Sequence, residues 1–191
     1  YEQTGRGNVA RGIIAGVSVK AYTEGRIKIH EQTLTAREKL FADYLQHTGI
    51  NAEPVLLTTP DGTAWEALLD PIAGTRPQHD FTTTDRVRHR LWACTDPALR
   101  EALQKRFAEI PALYIADGHH RLASSAALAQ REGVSEVDPM AWCLAYIVPK
   151  PNLFIFNFDR AITSLNEHTP ASFLTALNAV GEVTKLKAPW A

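Results

Sequence analysis

Cysteine is scarce in this 191-residue chain, which carries only Cys94 and Cys143. No CxxC pair or Cys/His cluster accompanies them, so neither a disulfide framework nor a structural zinc site is indicated. An excess of either charge is also lacking. The 20 Lys and Arg balance 21 Asp and Glu, for a net charge of −1, and the signs are interspersed. That excludes the broad basic face that grips nucleic acid, though not a small local anion site. No apolar run approaches the ~20 residues of a membrane-spanning helix, and no signal peptide is visible, so membrane partners are not expected and a cytoplasmic location is. Internal repeats, low-complexity tracts, clear linkers and any helix-turn-helix pattern are missing too. What is present is an ordinary globular balance, 45% hydrophobic and 21% charged. This is enough for a buried core in a single domain over 1–191. The start at Tyr1 without Met and the stop after "KLKAPWA" point to a fragment of a longer chain.

Hydrophobic patterning predicts mixed strands and helices, hence an α+β fold with a mixed sheet and packed helices. Residues 11–22 alternate as a strand, and "RIKIH" returns after the turn "TEG" as a second strand in a hairpin. Thr35 is expected to cap a helix that turns Leu40, Phe41, Tyr44 and Leu45 inward and stops at Gly49. "EPVLLTT" reads as a strand, "PDG" as a turn, and "TAWEALLD" as a short helix ended by Pro71. Residues 72–85 read as one long irregular connection and "RVRHRLWACT" as a strand. Asp96 and Pro97 form the cap and first turn of a helix through Ile110. "PALYIA" is a strand leading into a helix over 119–132. "MAWCLAYIVP" and "LFIFNFDRAI" read as adjacent strands around "KPN". Thr169 caps a last helix over 170–180, before a strand "EVTKL".

The densest chemistry lies at "YIADGHHR", where a strand turns through Asp117-Gly118 into a helix. A helix N-terminus offers unpaired amides and a partial positive charge, a ready site for an anion. Gly118 removes a side chain that would obstruct the backbone, and Arg121 adds a planar clamp for phosphate or carboxylate. His119 and His120 add further donors. Asp117 fits simple phosphate binding least well. It has three candidate roles: helix cap, magnesium partner, or base for an attacking hydroxyl. The plain structural alternative, a capped helix after a DG turn, stays open on these residues alone. A zinc pair is disfavoured, because adjacent histidines diverge by ~100° around a helix. A second cluster, Lys28, His30, Glu31 and Thr33, sits at a strand end where its Lys/His/Glu group can serve acid–base work or phosphate neutralisation; a solvated hairpin face is its alternative. His79, Asp80 and His89 follow as lesser candidates, His89 equally as a satisfied histidine on a half-buried face.

The segments "GRIKIHEQT", "PVLLTTPDG", "DFTTTDRVRHRLW" and "ALYIADGHHR", in that order, resemble the bacterial domain-of-unknown-function family ten-fifteen over residues 10–160. Its segments read "G.IKKHE.T", "PVFL.Y.D", "DFT…V.HRLW" and "ALYIADGHHR". Where the family continues with "RPDKE.DR", this chain has "LTAREKLFADYL", keeping Arg37, Glu38 and Lys39 without the proline. The family is described as similar to the ParB superfamily, which includes nucleotide-binding ParB domains, sulfiredoxin and free-serine kinases. That resemblance implies a ParB/sulfiredoxin-like phosphate-binding turn at a helix N-terminus, matched here by Gly118-His119-His120-Arg121, with Glu31 as counterpart of the kinases' separate glutamate.

The resemblance implies a nucleotide-binding phosphotransferase acting on a small hydroxyl metabolite. ATP or ADP with magnesium would be its cofactor. Gly118, His119, His120, Arg121 and Lys28 would hold phosphate, and Asp117, Glu31 and His30 would serve catalysis. The alternative is a ParB-like nucleotide switch or partition-type protein without small-molecule catalysis; the balanced charge argues against nucleic-acid contact by this segment. A sulfiredoxin-like activity would want a reactive cysteine, whereas Cys94 and Cys143 lie in apolar strands.

Overall fold

In a computed structural model, residues 1–60, 64–155 and 161–185 are described, and the fold is α+β. In chain order the elements are β1 (Glu2–Gly5), β2 (Asn8–Arg11), β3 (Ile13–Ser18), α1 (Val19–Thr23), β4 (Ile27–Lys28), α2 (Thr35–Thr48) and β5 (Val55–Thr59). They continue with α3 (Asp70–Ala73), β6 (His79–Thr82), β7 (Arg88–Leu91), α4 (Pro97–Ala108), β8 (Leu113–Asp117), α5 (His119–Glu132), β9 (Trp142–Pro149) and α6 (Pro170–Asn178). The chain divides into two compact units, Tyr1–Phe154 and Ile155–Ala191.

The first unit holds two sheets. One has the order β2-β1-β7-β6 and is antiparallel throughout; the other is mixed, in the order β3-β9-β5-β8-β4. In the mixed sheet β9 pairs with β3 antiparallel and with β5 parallel, β5 pairs with β8 antiparallel, and β8 pairs with β4 parallel. β9 is buried from Ala145 to Pro149, which explains its continuous apolar sequence: a strand covered on both faces has no polar side to alternate with. The core gathers Val55 and Leu57 from β5, Ala145 and Ile147 from β9, and Leu122 and Ala126 from α5. Trp65, fully buried, donates its indole N–H to Thr59 Oγ1 at 3.0 Å, so its one polar atom is satisfied inside the core. Gly12 is required by close approach, since a Cβ there would stand 2.1 Å from the Ile147 carbonyl oxygen.

Several elements differ from the sequence reading. Residues 19–22 belong to α1, because Ser18 caps a helix there by accepting from the Lys20 amide at 3.2 Å. β4 is two residues long and joins β8 in parallel, so no hairpin links it to β3. α2 starts after Leu34, with no side-chain cap, and Gly49 ends it at φ 64 as expected. Its apolar face does not turn inward: Leu40, Phe41 and Tyr44 are exposed and Ala42 is buried. α2 docks on α5 through its other side, where Arg131 donates to Asp43 Oδ1 at 3.1 Å and to Gln46 Oε1 at 2.8 Å. Pro71 opens α3 instead of ending a helix, following a 3-10 turn over Glu66–Leu69. The supposedly irregular connection contains β6, and the strand after it narrows to β7.

Asp96 caps α4 as read, accepting from the Ala98 amide at 2.9 Å, and α5 runs over the expected residues. In the second unit Thr169 caps α6 by accepting from the Ser172 amide at 3.2 Å. Leu153–Ile155, Ala161–Ile162 and Glu182–Lys185 are not strand; the rest of those two expected strands, and the Asp61-Gly62 turn, lie outside the described residues.

Candidate functional site

β8 runs from the buried Ile115 to the exposed Asp117, and the chain turns at Gly118 into α5. Gly118 adopts φ 95, in the left-handed region that side chains avoid. The open space above its Cα is used by the protein itself. A Cβ there would stand 2.8 Å from Nη2 and 2.9 Å from Nε of Arg121, so the guanidinium folds back over the glycine. Asp117 does not cap α5, which has no side-chain cap; its carboxylate accepts from Arg121 Nη2 at 3.0 Å, one helical turn on. Glu53 binds Arg121 Nη1 from the other side.

Glu53 is the participant that sequence reasoning missed. It lies two residues before β5, whose antiparallel register sets Leu56 opposite Asp117 and so brings the entrance of β5 to the exit of β8. Only knowledge of that long-range pairing could have signalled it.

His119 is 5% exposed, and His30 covers it edge-to-face with ring centroids 4.4 Å apart. Burial first, and the neighbouring His30 second, push the His119 pKa below its ordinary value, against the opposite pull of Glu31 and Asp117. It is therefore a neutral imidazole near pH 7. Glu31 Oε2 lies 3.8 Å from its Nδ1, too long for a hydrogen bond but within range of a charge interaction when the ring is protonated.

Three consecutive side chains here hold buried polar atoms without a hydrogen-bond partner: His119 Nε2, His120 Nδ1 and Arg121 Nε. Buried polar atoms are nearly always paired, so three unpaired neighbours at one turn single it out as the candidate site. The backbone points the same way, because the amides of His119 and His120 have no carbonyl within α5 to receive them.

The structure thus brings together Asp117, Gly118, His119, His120, Arg121, His30 and Glu31. Lys28 stands apart: it pairs with Tyr114, three residues or roughly 10 Å of strand before Asp117. The lesser candidates lie in the four-stranded sheet. His89 is satisfied on both ring nitrogens, by the Tyr1 hydroxyl at 2.6 Å and the Thr83 hydroxyl at 3.1 Å. Asp80 receives Arg88 in a two-pronged pair at 2.7 and 2.6 Å, and His79 is exposed beside it. Burial raises the Cys143 thiol pKa, which makes it a poor nucleophile. Among the described residues no three His, Cys, Asp or Glu side chains stand close enough to hold a metal ion by themselves. Nor is any helix among them long and apolar enough to cross a membrane.

The family model described as "Protein of unknown function (DUF1015)" matches residues 1–189. The chain belongs to this family. No curated protein and no solved structure matches it. Within this DUF1015 chain, the turn from β8 into α5 is where exposed acids, buried histidines and an arginine meet.

Proposed function

We propose that the Asp117–Arg121 turn holds the terminal phosphate of a nucleotide and that the chain is a phosphotransferase acting on a small hydroxyl metabolite, in the manner of the free-serine kinases that its motif resembles. The observation that carries this reading is the run of unpartnered buried atoms on His119, His120 and Arg121 at the start of α5. Arg121 Nε–H is a donor without an acceptor, each imidazole can present a proton at its orphaned nitrogen, and phosphate oxygens only accept. The free amides and partial positive charge at the start of α5 add to the same attraction.

The carboxylates Asp117 and Glu53, both bound to Arg121, and Glu31 beside His119 outnumber the single guanidinium. With His119 neutral, that excess of carboxylates repels a bare phosphate, which is why magnesium is the expected companion of the nucleotide. The exposed carboxylates fit a hard cation that uses one or two such groups and phosphate oxygens. When bound, the ion neutralises charge on the phosphates. Arg121 and the first amides of α5 orient the terminal phosphate. Glu31, exposed and beside His119, takes the proton of the acceptor hydroxyl, with His30 as the adjoining acid–base group. The freed oxygen attacks phosphorus as the bond to the nucleoside diphosphate breaks. Positioning and charge do most of the work in such a transfer.

The test is release of ADP from ATP and magnesium, with serine and related hydroxy compounds as acceptors. Turnover that requires the acceptor and is lost in Glu31→Gln supports the reading. ParB-like switching predicts nucleotide binding without any acceptor-dependent turnover, and that result would replace the kinase reading.

A further inference from the structure

A cavity of about 740 Å³ in the first unit lies away from the 117–121 turn. It opens between β3 of the mixed sheet, α4 and the chain entering and leaving α3. Alternation along β3 turns Ile13, Ala15 and Val17 to one face, and Leu103 and Phe107 of α4 line the opposite wall. The volume falls within the ~300–1,000 Å³ range of small-molecule sites, and an apolar wall with a few placed polar groups is their usual construction.

The charged residues decide what would enter. Arg11, Arg26 and Arg100 line the cavity, and among the described residues no carboxylate does. Arg11 is held by Glu2 and Asp70, and Arg26 by Glu24. Arg100, on the exposed side of α4, has no side-chain hydrogen bond or ion pair among the described residues. A cavity with apolar walls and, among the described residues, arginine as the only charged side chain in its lining is complementary to an amphipathic anion. Guanidinium binds a carboxylate head in two-pronged geometry, while the apolar body takes surface that otherwise faces water.

We infer that this cavity is a binding site for a small apolar carboxylate of the medium-chain acyl class, with Arg100 receiving its head group. The site is separate from the phosphate turn, so it stands whether or not the chain transfers phosphate.

Calorimetric titration of the whole chain with dodecanoate, below its micelle concentration, and with dodecanol tests the inference. Dodecanoate is expected to bind with one site per chain and at least tenfold more tightly than the alcohol. Arg100→Glu should weaken dodecanoate at least tenfold and leave dodecanol within twofold. Ala15→Phe, which directs a ring into the cavity, should abolish binding of both while circular dichroism and the unfolding midpoint show a folded chain. Absence of dodecanoate binding by the wild type overturns the inference. So does equal affinity for acid and alcohol, or undiminished binding by Arg100→Glu. Should Ala15→Phe unfold, Leu103→Ala serves in its place: it enlarges the cavity and should alter the chain length preferred, and an unchanged preference counts against the site.

Discussion

Gly118→Ala perturbs the point on which the whole turn depends. At φ 95 an alanine must sit in the left-handed region, at a cost of roughly 1–2 kcal/mol. Its Cβ would also meet the Arg121 guanidinium at 2.8–3.1 Å, so the arginine must swing away from Asp117 and Glu53. Those carboxylates are well exposed, at 75% and 68%, so each ion pair contributes only about 0.2–1 kcal/mol. Together the losses predict a destabilisation of about 1.5–4 kcal/mol, read from the urea midpoint at unchanged slope. Arg121→Ala separates the two parts. In its background there is no guanidinium to displace, so Gly118→Ala should cost less, leaving mainly the backbone strain. The difference between the two backgrounds is the coupling energy. A Gly118→Ala cost below about 0.5 kcal/mol would refute the strained turn, given that ordinary surface substitutions stay within that range. An equal cost in both backgrounds would refute the placement of the guanidinium over the glycine.

Further outcomes follow from other contacts. Glu2 is 1% exposed; burial opposes its charge, but Arg11 and Arg90 outweigh that and lower its pKa. Its contribution is therefore complete above about pH 4.5 and lost as pH falls through the lowered native value, so acid unfolding curves of Glu2→Gln should lack that limb. His119 titrates below its ordinary 6.5, so the unfolded chain takes up its proton first and stability falls as pH drops through that value. His119→Gln should flatten that part of the curve, and the wild-type ring resonance should titrate below 6.5 in NMR. Gly12→Ala places a carbon 2.1 Å from the Ile147 carbonyl and should cost at least about 1–3 kcal/mol in urea unfolding, as overpacking does.

The sequence was legible where the signal is local. α5 follows the expected residues because Gly118, at φ 95, opens it and Gly133, at φ 61, closes it. α4 is legible from Asp96 and Pro97 for the same reason. Patterns misled where partners are remote in sequence. Alternation in β3 runs on into α1 without a visible break until Ser18 acts as a cap. The apolar positions of α2 suggest an inward face, but Leu40, Phe41 and Tyr44 are exposed and the small Ala42 is the residue buried. In the site, the residue types of the 117–121 turn were readable, yet the use of each was not. Gly118 makes room for Arg121 before it makes room for any ligand, and Asp117 binds Arg121 instead of capping the helix. Glu53 entered through the β5–β8 register, which no local motif encodes.

The central claim is that the turn into α5 holds a nucleotide phosphate, and calorimetry of the wild-type chain and Arg121→Ala with ATP tests it most directly. The account predicts binding that requires magnesium and that weakens by about 1.5–3 kcal/mol in the variant, the scale of a charge-assisted contact. No binding of ATP by the wild type in the presence of magnesium, or equal affinity in Arg121→Ala, would contradict it.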